Sequence, residues 1–261
     1  MVVIVGAKYD LSQEEFDQLK AWWEKDGRLL VLLDPDSNTP RLRALCEAAG
    51  IYPLNNRVLR TVQLPFAIGI LRDVNGVFVQ GTEITKRFAG VFTRFPDPVQ
   101  SLKTSPPDGS GIQIRPLIEA DEMYWGETEY ITDEKKGVAY NDGLDDGYPV
   151  YLAVAADRGG ISDDRVAIQS AKMIVIGASR FALDEFIGGS DGRVANLDFL
   201  ASGANWLLDR VRITGIAPKS VREFRLALTD AQLARIAFFT MGVIPGIAAL
   251  LGFWVWFRRR K

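Results

Sequence analysis

The tightest constraint on this chain lies near its end. Residues 236 to 257 read IAFFTMGVIPGIAALLGFWVWF, 22 positions without a charge. As a helix this run would extend roughly 33 Å, against about 30 Å of hydrocarbon in a bilayer. Trp254, Trp256 and Phe257 stand at one end, where aromatic side chains favour the membrane interface. Arg258, Arg259, Arg260 and Lys261 follow at once, and four clustered cations are too costly to bury. The expectation is a single C-terminal transmembrane helix from Ile236, in contact with the lipid bilayer. Pro245 and Gly246 would kink it, and the basic tail would stay in the cytoplasm. Thr229 and Gln232 have capping-box spacing. That divides the chain into an extramembrane domain, 1–228, and an anchor with its tail, 229–261. The competing reading of the run is a buried helix of a globular core.

A basic C-terminal flank puts the main domain on the outer face of a bacterial inner membrane. No basic and apolar leader precedes Val2. The outer placement therefore needs an upstream segment beyond this sequence. The other reading keeps the domain in the cytoplasm, as a tail-anchored scaffold.

The extramembrane part opens with strand and helix signals in alternation. Val2 to Val5 is a β-branched apolar run closed by Gly6. Ser12 with Glu15 makes a capping box, and Phe16, Leu19, Trp22 and Trp23 repeat at helical spacing. A helix over 12–26 ending at Gly27 follows. Both indoles cannot face one core, since neighbouring helix positions diverge by about 100°. Arg28 to Leu33 reads as a buried strand, and Thr39-Pro40 opens a helix to about Ala49. Such alternation predicts a βαβ unit, a mostly parallel sheet and an α/β fold. Asn75-Gly76 between Ile68–Leu71 and Val77–Gln80 predicts a hairpin. Residues 96–113, rich in proline and glycine, read as a loop. From 119 to 147 ten carboxylates are interleaved with Tyr and Trp, so 57–147 is expected to be an irregular β-rich acidic insertion. Strands at Val150–Ala155, Lys172–Ile176 and Val211–Ile213 and a helix at Asn196–Leu208 complete the pattern.

Composition removes several chemistries. The chain has no histidine and one cysteine. No intrachain disulfide, Ser-His-Asp triad, Cys-His pair or histidine-bearing zinc site can form. A net charge of -2 gives no support for nucleic-acid binding. Cys46, inside a predicted helix, reads as a small buried hydrophobe. Ligands of open α/β sheets sit beyond the carboxyl ends of strands. That singles out Asp34 and Asp36 after one strand, and Ser179 and Arg180 after another, as candidate binding residues. Ser179 lacks the second glycine of a nucleophile elbow and any histidine base. Asn141–Gly147 lacks the spacing of a calcium loop, and no glycine-rich phosphate loop is complete. No catalytic residue, metal ligand or cofactor is assigned on these grounds.

Several stretches together resemble one family. They are LSQEEFDQLKAWWEKDGRLLVLLDP, GTEITKRF at 81–88, DDGYPVYLAVAADRG at 145–159, and MIVIGASRFALDEF followed by NLDFLASGANWLLD. In this order, with the apolar run at the end, they are similar to the GldG-like auxiliary proteins of gliding-motility and related bacterial ABC transporters. The chain departs from that pattern at Glu83 and in its acidic segment. The resemblance implies a Rossmann-like, class I glutamine-amidotransferase-like sheet with helices on both faces. It also implies a non-catalytic accessory role beside a multi-span ABC permease and its ATPase. The competing function is a membrane-bound hydrolase using carboxylates or a metal, with Asp34 and the acidic segment at its centre.

Overall fold

The computed structural model describes residues 1–63, 68–130, 138–158, 170–187, 194–210 and 244–259. Among the described residues of the first body, 1–220, twelve strands form two sheets. The expected opening is present. β1 (Val2–Val5) leads to α1 (Gln13–Glu24), β2 (Arg28–Leu32) and α2 (Pro40–Ala48). Ser12 caps α1 as its spacing predicts: its Oγ accepts from Glu15 N–H at 3.2 Å, and Glu15 accepts from Ser12 N–H at 2.8 Å. The helix stops before Asp26, which takes a left-handed φ of 79°.

The remaining strands are β3 (Ile51–Pro53), β4 (Arg57–Gln63), β5 (Ile68–Leu71), β6 (Val74–Phe78), β7 (Phe92–Phe95) and β8 (Leu102–Thr104). They continue with β9 (Ile112–Ala120), β10 (Trp125–Glu127), β11 (Tyr151–Arg158) and β12 (Lys172–Ile176). The main sheet runs β1-β2-β12-β11-β9-β6-β7, with β3 and β8 attached beside β11. β1, β2 and β12 are parallel. The ladders of β11 with β12, β11 with β9, β6 with β9 and β6 with β7 are all antiparallel. The second sheet, β10-β4-β5, is antiparallel throughout.

This corrects the expected fold. The sheet is mixed, with antiparallel strands dominant, and is not a mostly parallel Rossmann-like layer. Buried strands read as apolar runs in either direction, so composition does not reveal polarity. Polarity follows from the connections. A parallel neighbour needs a crossover such as α1, whereas antiparallel neighbours do not. The Asn75-Gly76 hairpin is also corrected. Both residues lie inside β6, opposite Arg94 and Thr93 of β7. A Cβ on Gly76 would fall 2.6 Å from Ile118 Cγ2 and from Thr93 Oγ1. This glycine serves close packing within a sheet, not a turn.

The main sheet separates two cores. One face carries Leu29, Val31, Val154 and Met173 against Trp23 of α1 and Leu42, Leu45 and Cys46 of α2. The other carries Leu30, Leu32, Ile174 and Ile176 against Phe181 and against Phe199, Trp206 and Leu207. The last three belong to a helix at Asn196–Leu207, here α4; α3 is the short Asp184–Ile187. Phe78, Phe88, Phe181 and Phe199 meet ring to ring on this side.

α5 (Ile244–Arg259) belongs to the second body, 221–261. Its 16 residues rise about 24 Å, short of the roughly 30 Å hydrocarbon layer. Among the described residues no helix is long and apolar enough to cross a membrane. The expected single C-terminal transmembrane anchor, and the inner-membrane localisation drawn from it, are corrected accordingly. Pro245 stands in the first turn of the described part of α5, where a missing N–H costs nothing. Trp254, Trp256, Arg258 and Arg259 lie on α5, with the Arg258 guanidinium carbon 5.4 Å from the centre of the Trp254 ring. Ile236, Arg260, the Thr229/Gln232 cap and the strand expected at Val211–Ile213 fall outside the described residues.

Candidate functional site

The four residues singled out by sequence converge at the carboxyl ends of the parallel strands. β2 and β12 are neighbours in register, Leu32 opposite Ile176. The residues just past each strand must therefore meet. Ser179 N–H donates to Asp34 Oδ1 at 2.7 Å, and Ser179 Oγ donates to Asp34 Oδ2 at 2.6 Å. Both carboxylate oxygens are thus engaged by one residue 145 positions away. Gly6, at the end of β1, closes the third side. A Cβ there would lie 3.0 Å from Ser179 Cβ and 3.1 Å from its Oγ, and the residue sits at φ 55°. Only glycine holds that backbone without strain so near a neighbour.

Asp36 lies outside this clasp and faces Arg57. The Arg57 Nη2 donates to both Asp36 oxygens, at 2.9 and 2.7 Å. Its Nη1 reaches Asp97 Oδ1 at 3.1 Å, and the Tyr130 ring lies 5.0 Å from the guanidinium carbon. Burial opposes the Arg57 charge, but the hydrogen-bonded Asp36 together with Asp97 and Tyr130 prevails, so its pKa stands above the ordinary value. Arg180 donates from Nη1 to the Asp97 carbonyl at 2.6 Å. Beneath them Arg43 bonds the carbonyls of Asp34 and Pro53 and the Gln100 amide oxygen. Gln100 in turn donates to the Leu33 carbonyl at 3.0 Å.

The sequence reading missed Arg43, Arg57, Asp97 and Gln100. They come from a helix, a strand and a loop, and no short motif links them. The geometry does not favour catalysis at Ser179. Its hydroxyl proton points to a carboxylate, a weak base, and its Oγ is packed beside Gly6. Among the described residues, carboxylates of the acidic segment proposed for a hydrolase are engaged elsewhere. Glu127 is instead buried under Trp125, whose indole N–H donates to it at 3.0 Å. Asp145 accepts from Thr128 N–H and Asn141 N–H at 3.0 and 2.8 Å. Its oxygens pin the 141–147 turn by backbone bonds. Cys46 is fully buried, and burial pushes its thiol pKa up to about 12.

Neither a protein-family model nor a curated protein matches the chain. Among solved structures the fold is similar to one described as the mmIFT52 N-terminal domain. The TM-score is 0.51 at 17% identity, covering 78% of this chain and 75% of that one. At that identity the likeness concerns the fold alone.

Proposed function

We propose that the chain is a non-catalytic binding domain that serves as an accessory subunit of an ABC-type transport system. The observation that carries the non-catalytic part is that Ser179 bonds both carboxylate oxygens of Asp34. At the end of the sheet where an α/β enzyme places its chemistry, this chain spends its carboxylate on tying two strands together. Asp36 and Asp97 are likewise engaged by Arg57. The transport part rests on the ordered resemblance to GldG-like proteins, and its partners would be the permease and ATPase of that system.

The test uses the full chain, affinity-tagged and purified from its native cells after mild cross-linking. A multi-span permease and an ATPase are expected with it in fixed ratio. Their absence would remove the transport role. In parallel, an esterase, phosphatase and glycosidase panel is run on the wild type and on Asp34→Ala. Turnover abolished by that substitution would replace the binding reading with a hydrolase.

A further inference from the structure

The second sheet brings two acidic side chains into contact. Gly126 of β10 and Asp146 exchange both backbone hydrogen bonds, at 2.8 and 3.0 Å. In antiparallel pairing the next positions, Glu127 and Asp145, stand opposite each other with their side chains close. Glu127 is 0% exposed and Asp145 8%. Their carboxyl groups lie within hydrogen-bonding reach of one another. Like charges set directly across a pairing repel, and burial strengthens the repulsion.

Each carboxyl oxygen of the pair accepts one N–H. Trp125 Nε1–H and Glu129 N–H donate to Glu127 at 3.0 and 3.2 Å. Thr128 N–H and Asn141 N–H donate to Asp145 at 3.0 and 2.8 Å. All four donors are neutral, so none offsets a second negative charge as a cation would. Arg57 stands opposite Glu127 in the ladder of β10 with β4. Its guanidinium is held by Asp36 and Asp97, with the Tyr130 ring against it. Arg72 lines the same hollow as Arg57 and Tyr130. The remaining ionisable groups near the pair, among the described residues, are Glu129 and Asp142, both exposed, Asp146 and Tyr140. Asp146 accepts from Ser101 Oγ at 2.6 Å, and the Tyr140 ring stands edge-on to Trp125 at 6.3 Å. One proton on the pair turns its repulsion into a carboxyl-to-carboxylate hydrogen bond.

We infer that Glu127 and Asp145 form a proton-operated latch for the 141–145 turn, docked on β10 while the pair holds one proton and released when both groups ionise. The inference is independent of the transport role. The latch point is the Asp145 side chain, because its two oxygens hold Thr128 N–H on β10 and Asn141 N–H at the start of the turn. A second charge on Glu127 pushes that side chain away, and both bonds go with it. The ends of the turn are fixed by other means. Val138 packs with Leu59 and Trp125, and Asp146 keeps its two backbone bonds to Gly126 and its bond from Ser101. Release is therefore confined to 141–145. Burial lifts the Glu127 pKa, the Trp125 and Glu129 N–H groups draw it back, and Asp145 lifts it again, so it stands above the ordinary value. Docking is then complete at pH below the value of the released form, and it is lost as pH rises through that of the docked form. The two groups titrate as one unit.

The experiment follows amide hydrogen exchange of the full chain from about pH 5 to about pH 8, corrected for the intrinsic pH dependence of exchange. Protection of the peptide spanning 138–146 is expected to fall about tenfold, the change that one unit of pKa difference between docked and released forms produces. Protection of β11 is expected to stay level. Glu127→Gln keeps the shape and removes the charge, so its turn should remain protected across the range. In parallel, the Trp125 indole N–H resonance of the wild type, assigned with Trp125→Phe, is expected to titrate with the turn. An indole resonance that does not move over this range would overturn the inference without any variant at Glu127. So would turn protection that is level in the wild type, a fall shared equally by β11, or a Glu127→Gln chain that keeps the wild-type pH dependence.

Discussion

At the scale of single residues the chain shows where a polar group is used for structure. Asp34 accepts two short hydrogen bonds from Ser179, and bonds to a charged acceptor are the stronger kind. Asp34→Ala leaves Ser179 N–H and Oγ–H without partners and is expected to cost about 2–3 kcal/mol, read as a lower urea midpoint. Asp34→Asn, which keeps one acceptor, is expected to lose less. Glu127 makes a second case. Its pKa is raised first by burial and then by Asp145, with the Trp125 and Glu129 N–H groups opposing. A raised value means the fold favours the protonated form more than the unfolded chain does. That stability is complete below the unfolded value and is lost as pH rises through the folded one. Unfolding midpoints are therefore expected to increase on going from neutral toward about pH 5, and Glu127→Gln should flatten that profile. The pairing of Asp34 with Ser179 was half legible. Sequence placed each at a strand end, but the bond between them depends on β12 lying beside β2, which no local signal encodes.

At the scale of elements, local chemistry was readable wherever it was self-contained. Ser12 and Glu15 satisfy each other within four residues, so the start of α1 could be read directly. Ser12→Ala is expected to cost about 1 kcal/mol by thermal melting. Lys172–Ile176 appears as the strand its five apolar-rich residues predict. Asn75-Gly76 misled because the reason for Gly76 is a neighbour from β9, more than forty positions later. Gly76→Ala forces a methyl against Ile118 and Thr93. It is expected to destabilise by about 1–3 kcal/mol, where a solvent-facing turn glycine would be far more tolerant. The C-terminal run was not borne out as a span: among the described residues α5 covers Ile244–Arg259, and no helix is long and apolar enough to cross a membrane.

At the scale of the whole first body, one sheet serves two cores and so couples them. Leu45 packs under α2 on one face and Phe199 under α4 on the other. Leu45→Ala and Phe199→Ala are each expected to cost about 2–5 kcal/mol. Because the two sites share no contacts, the double variant should show the summed loss in one cooperative transition. Two separate transitions would mean that the faces unfold independently. The direction of the strands was the part of the architecture that sequence could not show. Leu29–Leu32 and Leu152–Ala156 are equally apolar, yet one runs parallel to β12 and the other against it.

The adjacency of β2 and β12 has a cost in time. A ribosome adding about 5–20 residues each second needs on the order of ten seconds to pass from Leu32 to Lys172. Throughout that interval one flank of β2 waits for a neighbour that has not been made. Until then that flank of β2 exposes unpaired backbone groups, and slowing translation over 33–171 is expected to lower the soluble yield, read by quantifying the chain in supernatant and pellet.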